Sequence, residues 1–114
     1  MTHKTFLCST LALGAAFICG ALTPAHAEEE TYTITIKDHR FEPDTLALKA
    51  GVKTRLVIEN AQKEAAEFES GELNREKVIP PGAQVSVSVG PLAPGSYAFF
   101  DDFHQETTGK VVVK

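Results

Sequence analysis

The stretch from Gly90 to Lys114, GPLAPGSYAFFDDFHQETTGKVVVK, restricts the fold more than any other part of the chain. Tyr97 to Phe100 follows a Pro94-Gly95 turn, and Val111 to Val113 follows Gly109. Apolar runs with period two, bounded by turn residues, are strand signals. Between the two runs lie Asp101, Asp102, His104 and Glu106. Carboxylates and an imidazole this close together are a compact set of hard and borderline metal ligands. The reading is a strand, a ligand-bearing loop and a second strand, with the remainder of the chain as their scaffold.

The amino terminus is of a different kind. Lys4 gives residues 1–27 a positive start, Leu7 to Leu22 form a short apolar stretch rich in small residues, and Ala25-His26-Ala27 has the small-x-small form of a cleavage site. The expectation is a secretory signal peptide cleaved after Ala27, leaving no stable membrane insertion, and a single domain from 28 to 114. Both cysteines, Cys8 and Cys19, fall in the removed segment, and Ile18 stands where a lipoprotein signal wants a small residue. The mature domain then has 87 residues (114 less 27), 10 basic and 15 acidic side chains and a net charge of −5. An acidic surface without basic clusters argues against nucleic acid and anionic membranes, and it is compatible with a cationic cargo. A domain this small buries only about 60 to 65% of its unfolded surface, so without disulfides it needs a regular core.

Along the mature chain, Tyr32, Ile34 and Ile36 alternate with threonines, Leu46 and Leu48 mark a short strand, and a third strand runs from Thr54 to Glu59. Glu67-Phe68-Glu69-Ser70 reads as a strand with Phe68 inward and both glutamates on the other face. Asn74 to Lys77 reads as a helical turn, and Val85, Val87 and Val89 alternate with serines. Seven short strands with turns between them, and no helix of ordinary length, predict an all-β fold, an antiparallel Greek-key sandwich or barrel. Its predicted core is Tyr32, Ile34, Ile36, Leu46, Leu56, Ile58, Phe68, Val85, Val87, Tyr97, Phe99 and Val112.

Phe41-x-Pro43, the Ala50-Gly51 turn, Asn60 at the end of the third strand, Pro94-Gly95-Ser96-Tyr97-x-Phe99 and the final Gly109-Lys110-Val111-Val112-Val113 resemble the frame of the cupredoxins, small periplasmic copper proteins. That frame places Asp101 at the thiolate position of a blue-copper site, His104 at the loop histidine, Thr107 near the axial methionine, and Ala66 or Glu67 at the early histidine. Type 1 blue copper needs its cysteine thiolate and is excluded. The strings Lys37-Asp38-His39-Arg40-Phe41-Glu42-Pro43, Glu67-Phe68-Glu69-Ser70 and Leu73 to Ile79 are similar to EfeO-type cupredoxin-like domains and FtrB-like periplasmic proteins of bacterial iron uptake. The resemblance implies periplasmic localisation and partners: an iron permease, a second periplasmic metal-binding protein and a membrane ferredoxin-like protein.

The candidate metal ligands are His104, Asp101, Asp102, Glu67, Glu69 and His39, expected to converge on one site at one end of the barrel. Each has a plainer reading, as a solvated strand face for Glu67 and Glu69, a turn for Asp101 and Asp102, and a surface histidine for His39 and His104. Asp101 and Asp102 are flanked by Phe99, Phe100 and Phe103, and carboxylates beside apolar rings repel unless a cation or proton intervenes. No nucleophile and base are arranged as in a hydrolase, so the chain does not read as an enzyme, apart from an accessory part in ferrous iron oxidation. The predicted function is a metal-binding accessory protein of high-affinity iron transport that holds one iron or copper ion as a monomer or weak dimer. The alternative is a metal-free cupredoxin-like module that docks on a permease or periplasmic complex.

Overall fold

A computed structural model describes residues 29–114, with Gly14 besides. The predicted signal peptide and its expected cleavage site lie outside the described residues. Nine strands make up the domain: β1 (Glu30–Lys37), β2 (Arg40–Glu42), β3 (Thr45–Leu48), β4 (Thr54–Asn60), β5 (Ala66–Ser70), β6 (Arg75–Ile79), β7 (Gln84–Val89), β8 (Gly95–Asp101) and β9 (His104–Val113). They form two packed sheets, ordered β2-β1-β4-β7 and β3-β9-β8-β5-β6. The sandwich is all-β as predicted, and its sheets are mixed. The β1–β4 and β3–β9 pairs run parallel and the others antiparallel, a distinction to which side-chain alternation is blind.

The inner faces follow period two. Ile34 and Ile36 on β1, Leu56 and Ile58 on β4, and Val87 and Val89 on β7 meet Leu46, Leu48, Phe68, Ile79, Phe99, Val111 and Val113 from the other sheet. Phe99 is at the centre, with Phe41 edge-on at 4.9 Å and Phe68 tilted at 5.0 Å between ring centroids. Such pairs add about 0.5–1.5 kcal/mol to what their burial contributes. Gly109 lies opposite Phe99 in the β8–β9 register, where a methyl group would overlap the ring. The ring fits because position 109 has no side chain.

Four expectations change. Asn74 to Lys77 is not a helical turn: Asn74 adopts a left-handed backbone with φ of 53°, and Arg75 to Ile79 is an edge strand paired with β5. Its charged composition reflects exposure, since only Ile79 of the five is buried. Val112 faces away from the interior while Val111 and Val113 are buried. Tyr32, Val85 and Tyr97 are partly buried, packed against the core margin. The Asp101–Glu106 loop shrinks to a turn at Asp102 and Phe103, because His104 already opens β9.

Candidate metal centre

The β8–β9 turn decides which way the acidic residues point. Asp101 keeps the parity of Phe99 and faces inward with none of its surface exposed, whereas Asp102 continues the outward parity of Phe100. On β5 the same alternation places Phe68 on the inner face and Glu67 and Glu69 on the outer one, where neighbouring side chains leave Glu67 buried and Glu69 partly exposed. The six predicted residues therefore fall into two groups rather than one.

The first group joins His39, Glu64 and His104, whose ligand atoms lie within 4.8 Å of one another. Glu64 Oε1 is 3.2 Å from His39 Nε2, and Glu64 Oε2 is 3.7 Å from His104 Nε2. The imidazole centroids are 4.3 Å apart, tilted by 47°. His39 comes from the β1–β2 turn of the first sheet, His104 from the start of β9 in the second, and Glu64 from the β4–β5 connection that crosses between them. Glu64 does not stand out in the sequence because it sits in a polar loop, and its place beside the two histidines depends on contacts distant along the chain.

The backbone around this group is held from several sides. Asp38 and His39 both adopt positive φ, 51° and 57°, between the paired residues Lys37 and Arg40. That is the conformation of a two-residue hairpin turn, and at residues other than glycine it persists where surroundings enforce it. The surroundings are Gln62 and Thr107. The His39 N–H donates to Gln62 Oε1 at 2.9 Å, and Thr107 Oγ1 donates to the His39 carbonyl at 2.7 Å. Thr107, near the axial-methionine position of the frame, thus fixes the His39 backbone. Asn60, 1% exposed, donates through Nδ2 to the Glu64 carbonyl at 2.8 Å and accepts from the Gln62 N–H at 3.1 Å. One buried amide orders the whole loop that carries Glu64 and Gln62.

Asp101 sits behind His104. Its Oδ1 accepts from the Glu67 N–H at 2.9 Å and the Phe103 N–H at 3.1 Å, and its Oδ2 faces His104 Nδ1 at 3.5 Å. Those last two atoms are buried without another partner. The donor set fits a metal ion. Two Nε2 atoms and a carboxylate form an open face, and a carboxylate behind the far ring nitrogen is the arrangement that fixes a ligating histidine's tautomer.

The second group is Glu67, Glu69 and Glu76, the last from β6, again within 4.8 Å. Asp102 stands beside it. The Glu67 carboxyl is pushed up to about 7, foremost by its contact with Glu76, then by burial and by the charges of Glu76, Asp102 and Glu69. Glu69 is raised as well, first by burial and then by Asp102 and Glu76. An acid whose folded pKa lies above its ordinary 4.5 keeps its proton longer in the folded state. Its contribution to stability is thus full below about 4.5 and is lost as the pH rises through about 7. Glu67→Gln should accordingly raise the melting temperature at pH 8 more than at pH 4, as scanning calorimetry at the two pH values would record. Equal shifts at both would contradict the proposed repulsion.

The nine-stranded, two-sheet fold defines a class, the cupredoxin-like β-sandwich. The match of the cupredoxin-like domain family to residues 9–113 places the chain in that family. A relative in Rickettsia prowazekii (strain Madrid E), an uncharacterized protein, is 42% identical over 80 residues, which cover 70% of this chain and 64% of that protein. The metal-binding domain of the Cu(I)-exporting P-type ATPase CopA of Streptococcus pneumoniae D39, solved with Cu(I), has the same fold. Its TM-score is 0.68 at 15% identity over 74% of this chain and 84% of that one. Amicyanin from Paracoccus versutus gives 0.60 at 16% identity, covering 74% and 81%.

Proposed function

We propose that the protein holds one iron or copper ion between His39, Glu64 and His104, and serves in the periplasm as an accessory of a high-affinity iron transport system, alongside an iron permease. The observation that carries the metal reading is the convergence of two imidazole Nε2 atoms and one carboxylate from three separate elements. Asp101 acts as a positioning residue behind His104, and Glu67, Glu69 and Asp102 are not ligands of this ion. Two imidazoles and a carboxylate with open positions suit ferrous iron and also accommodate cupric copper. The Cu(I) in the pneumococcal CopA domain supports copper, and the likeness to EfeO-type and FtrB-like strings supports iron transport.

The test is titration of the mature protein with cupric ion in air and with ferrous ion under anaerobic conditions. One saturable equivalent, lost in His104→Ala, is the expected result. No saturable binding of either ion would replace this reading with that of a metal-free docking module. Asp101→Asn probes the positioning role. It keeps an oxygen for the Glu67 and Phe103 N–H groups, so stability should move by less than about 1 kcal/mol. It removes the acceptor behind His104 Nδ1, so metal affinity should fall about 10- to 100-fold. Isothermal calorimetry reads the affinity and urea denaturation the stability.

A further inference from the structure

The outer face of the five-stranded sheet carries a patch that the metal centre does not use. Glu67 and Glu69 on β5, Glu76 on β6 and Asp102 on the β8–β9 turn gather their carboxylates there. No lysine or arginine pairs with any of the four among the described residues. The cations of β6 occupy its other pleat, where Arg75 reaches the Ser88 carbonyl at 2.7 Å and Lys77 stands opposite Phe68. Glu67 is only 7% exposed, and the groups around its carboxylate are other carboxylates. Apolar side chains border the patch. Val78 lies across from Glu67 and is 50% exposed, Phe100 lies across from Glu69, and Phe103, also 50% exposed, follows Asp102.

We propose that this face docks an extended segment of a partner protein that presents two or more lysines or arginines alternating with apolar side chains. Ammonium and guanidinium groups supply the positive charge that the four carboxylates lack and add to the one side-chain donor on them, Gln105 Nε2 on Asp102 at 3.1 Å, and a nearly buried glutamate gains most from such a partner. An extended segment fits because Glu67 and Glu69 are two strand residues apart. Alternate side chains of a second extended chain repeat at the same interval of about 6.6 Å. Val78 and Phe103 would then lose their exposure under the segment's apolar residues, giving the contact the apolar component that charge pairs alone lack. The net charge of −5 on the mature chain favours the approach of a basic partner. The face adjoins the metal centre through the Glu67 N–H bond to Asp101, so a partner seated there stands beside the ion's position in the reading proposed above.

The mature His104→Ala protein, free of metal, is titrated with a blocked Lys-Val-Lys-Val-Lys peptide and, as control, with Glu-Val-Glu-Val-Glu, while amide NMR shifts are followed. This background keeps the result separate from the metal centre. The lysine peptide should shift amides of β5, β6 and residues 101–104, and bind more weakly as salt is added. Its affinity should fall about fivefold in the Glu69→Gln/Glu76→Gln double variant. The control should not bind. Shifts centred on other strands, or equal affinity in the double variant, would overturn the proposal. So would a calcium or ferric ion that binds these carboxylates at one equivalent and excludes the peptide, which makes the face an ion site. A concentration-dependent dimer abolished by the double variant would also overturn it, since a second copy is then the occupant.

Discussion

Saturating a protein of residues 28–114 with cupric or ferrous ion should raise its melting temperature by about 10 to 20 °C. The reasoning is mass action. An ion that binds only the folded state at a hundredfold excess over its dissociation constant adds about 2.7 kcal/mol, and each kcal/mol moves the midpoint of a domain this small by about 4–8 °C. Only the folded chain brings His39, Glu64 and His104 together, since they come from the β1–β2 turn, the β4–β5 connection and the start of β9. His104→Ala should remove most of the rise, and Glu59→Gln, on an exposed position of β4, should leave it intact. Differential scanning fluorimetry with and without ion decides the matter, and an undiminished rise in His104→Ala would place the ion elsewhere.

The largest loss of stability should come from the pair Phe99 and Gly109. Phe99→Ala empties the centre of the core and should cost about 3–5 kcal/mol, a large share of the stability available to such a domain. Gly109→Ala drives a methyl group into the same ring and against the Asp44 carbonyl, at a cost of about 1–3 kcal/mol or more. In the double variant the methyl group enters space the ring has vacated. The combined loss should therefore fall short of the sum of the two single losses, a coupling that urea denaturation of the four proteins in one cycle measures. Strict additivity would show that the ring and position 109 do not share that space.

The same alternation that revealed the strands already contained the division of the acidic residues. Phe68 inward implied Glu67 and Glu69 outward, and Phe99 inward implied Asp101 inward and Asp102 outward. A single convergent site required side chains from both faces of one sheet to meet. Val112 was misplaced because Val111-Val112-Val113 has no polar residue to mark its parity, and only the register with β3 and β8 sets it. β6 was illegible because an exposed edge strand needs no apolar face, and its place comes from backbone pairing with β5. His39 and His104 stood out as the imidazoles of residues 28–114. Glu64, Gln62 and Asn60 did not show their function, because it arises from contacts made across the sandwich.

The placement of His39 on one layer and His104 on the other has a consequence for the protein's lifetime. Residues 28–114 contain no cysteine, so no disulfide can join the two sheets. An ion shared by these two residues and Glu64 would act as a removable rivet, and that end of the sandwich could not open until the ion left. Resistance to proteases, which cleave chains that open transiently, would then rise while the ion is aboard and fall once it has been handed on. Emptied molecules would be cleared before loaded ones, so degradation itself would favour the population still carrying cargo.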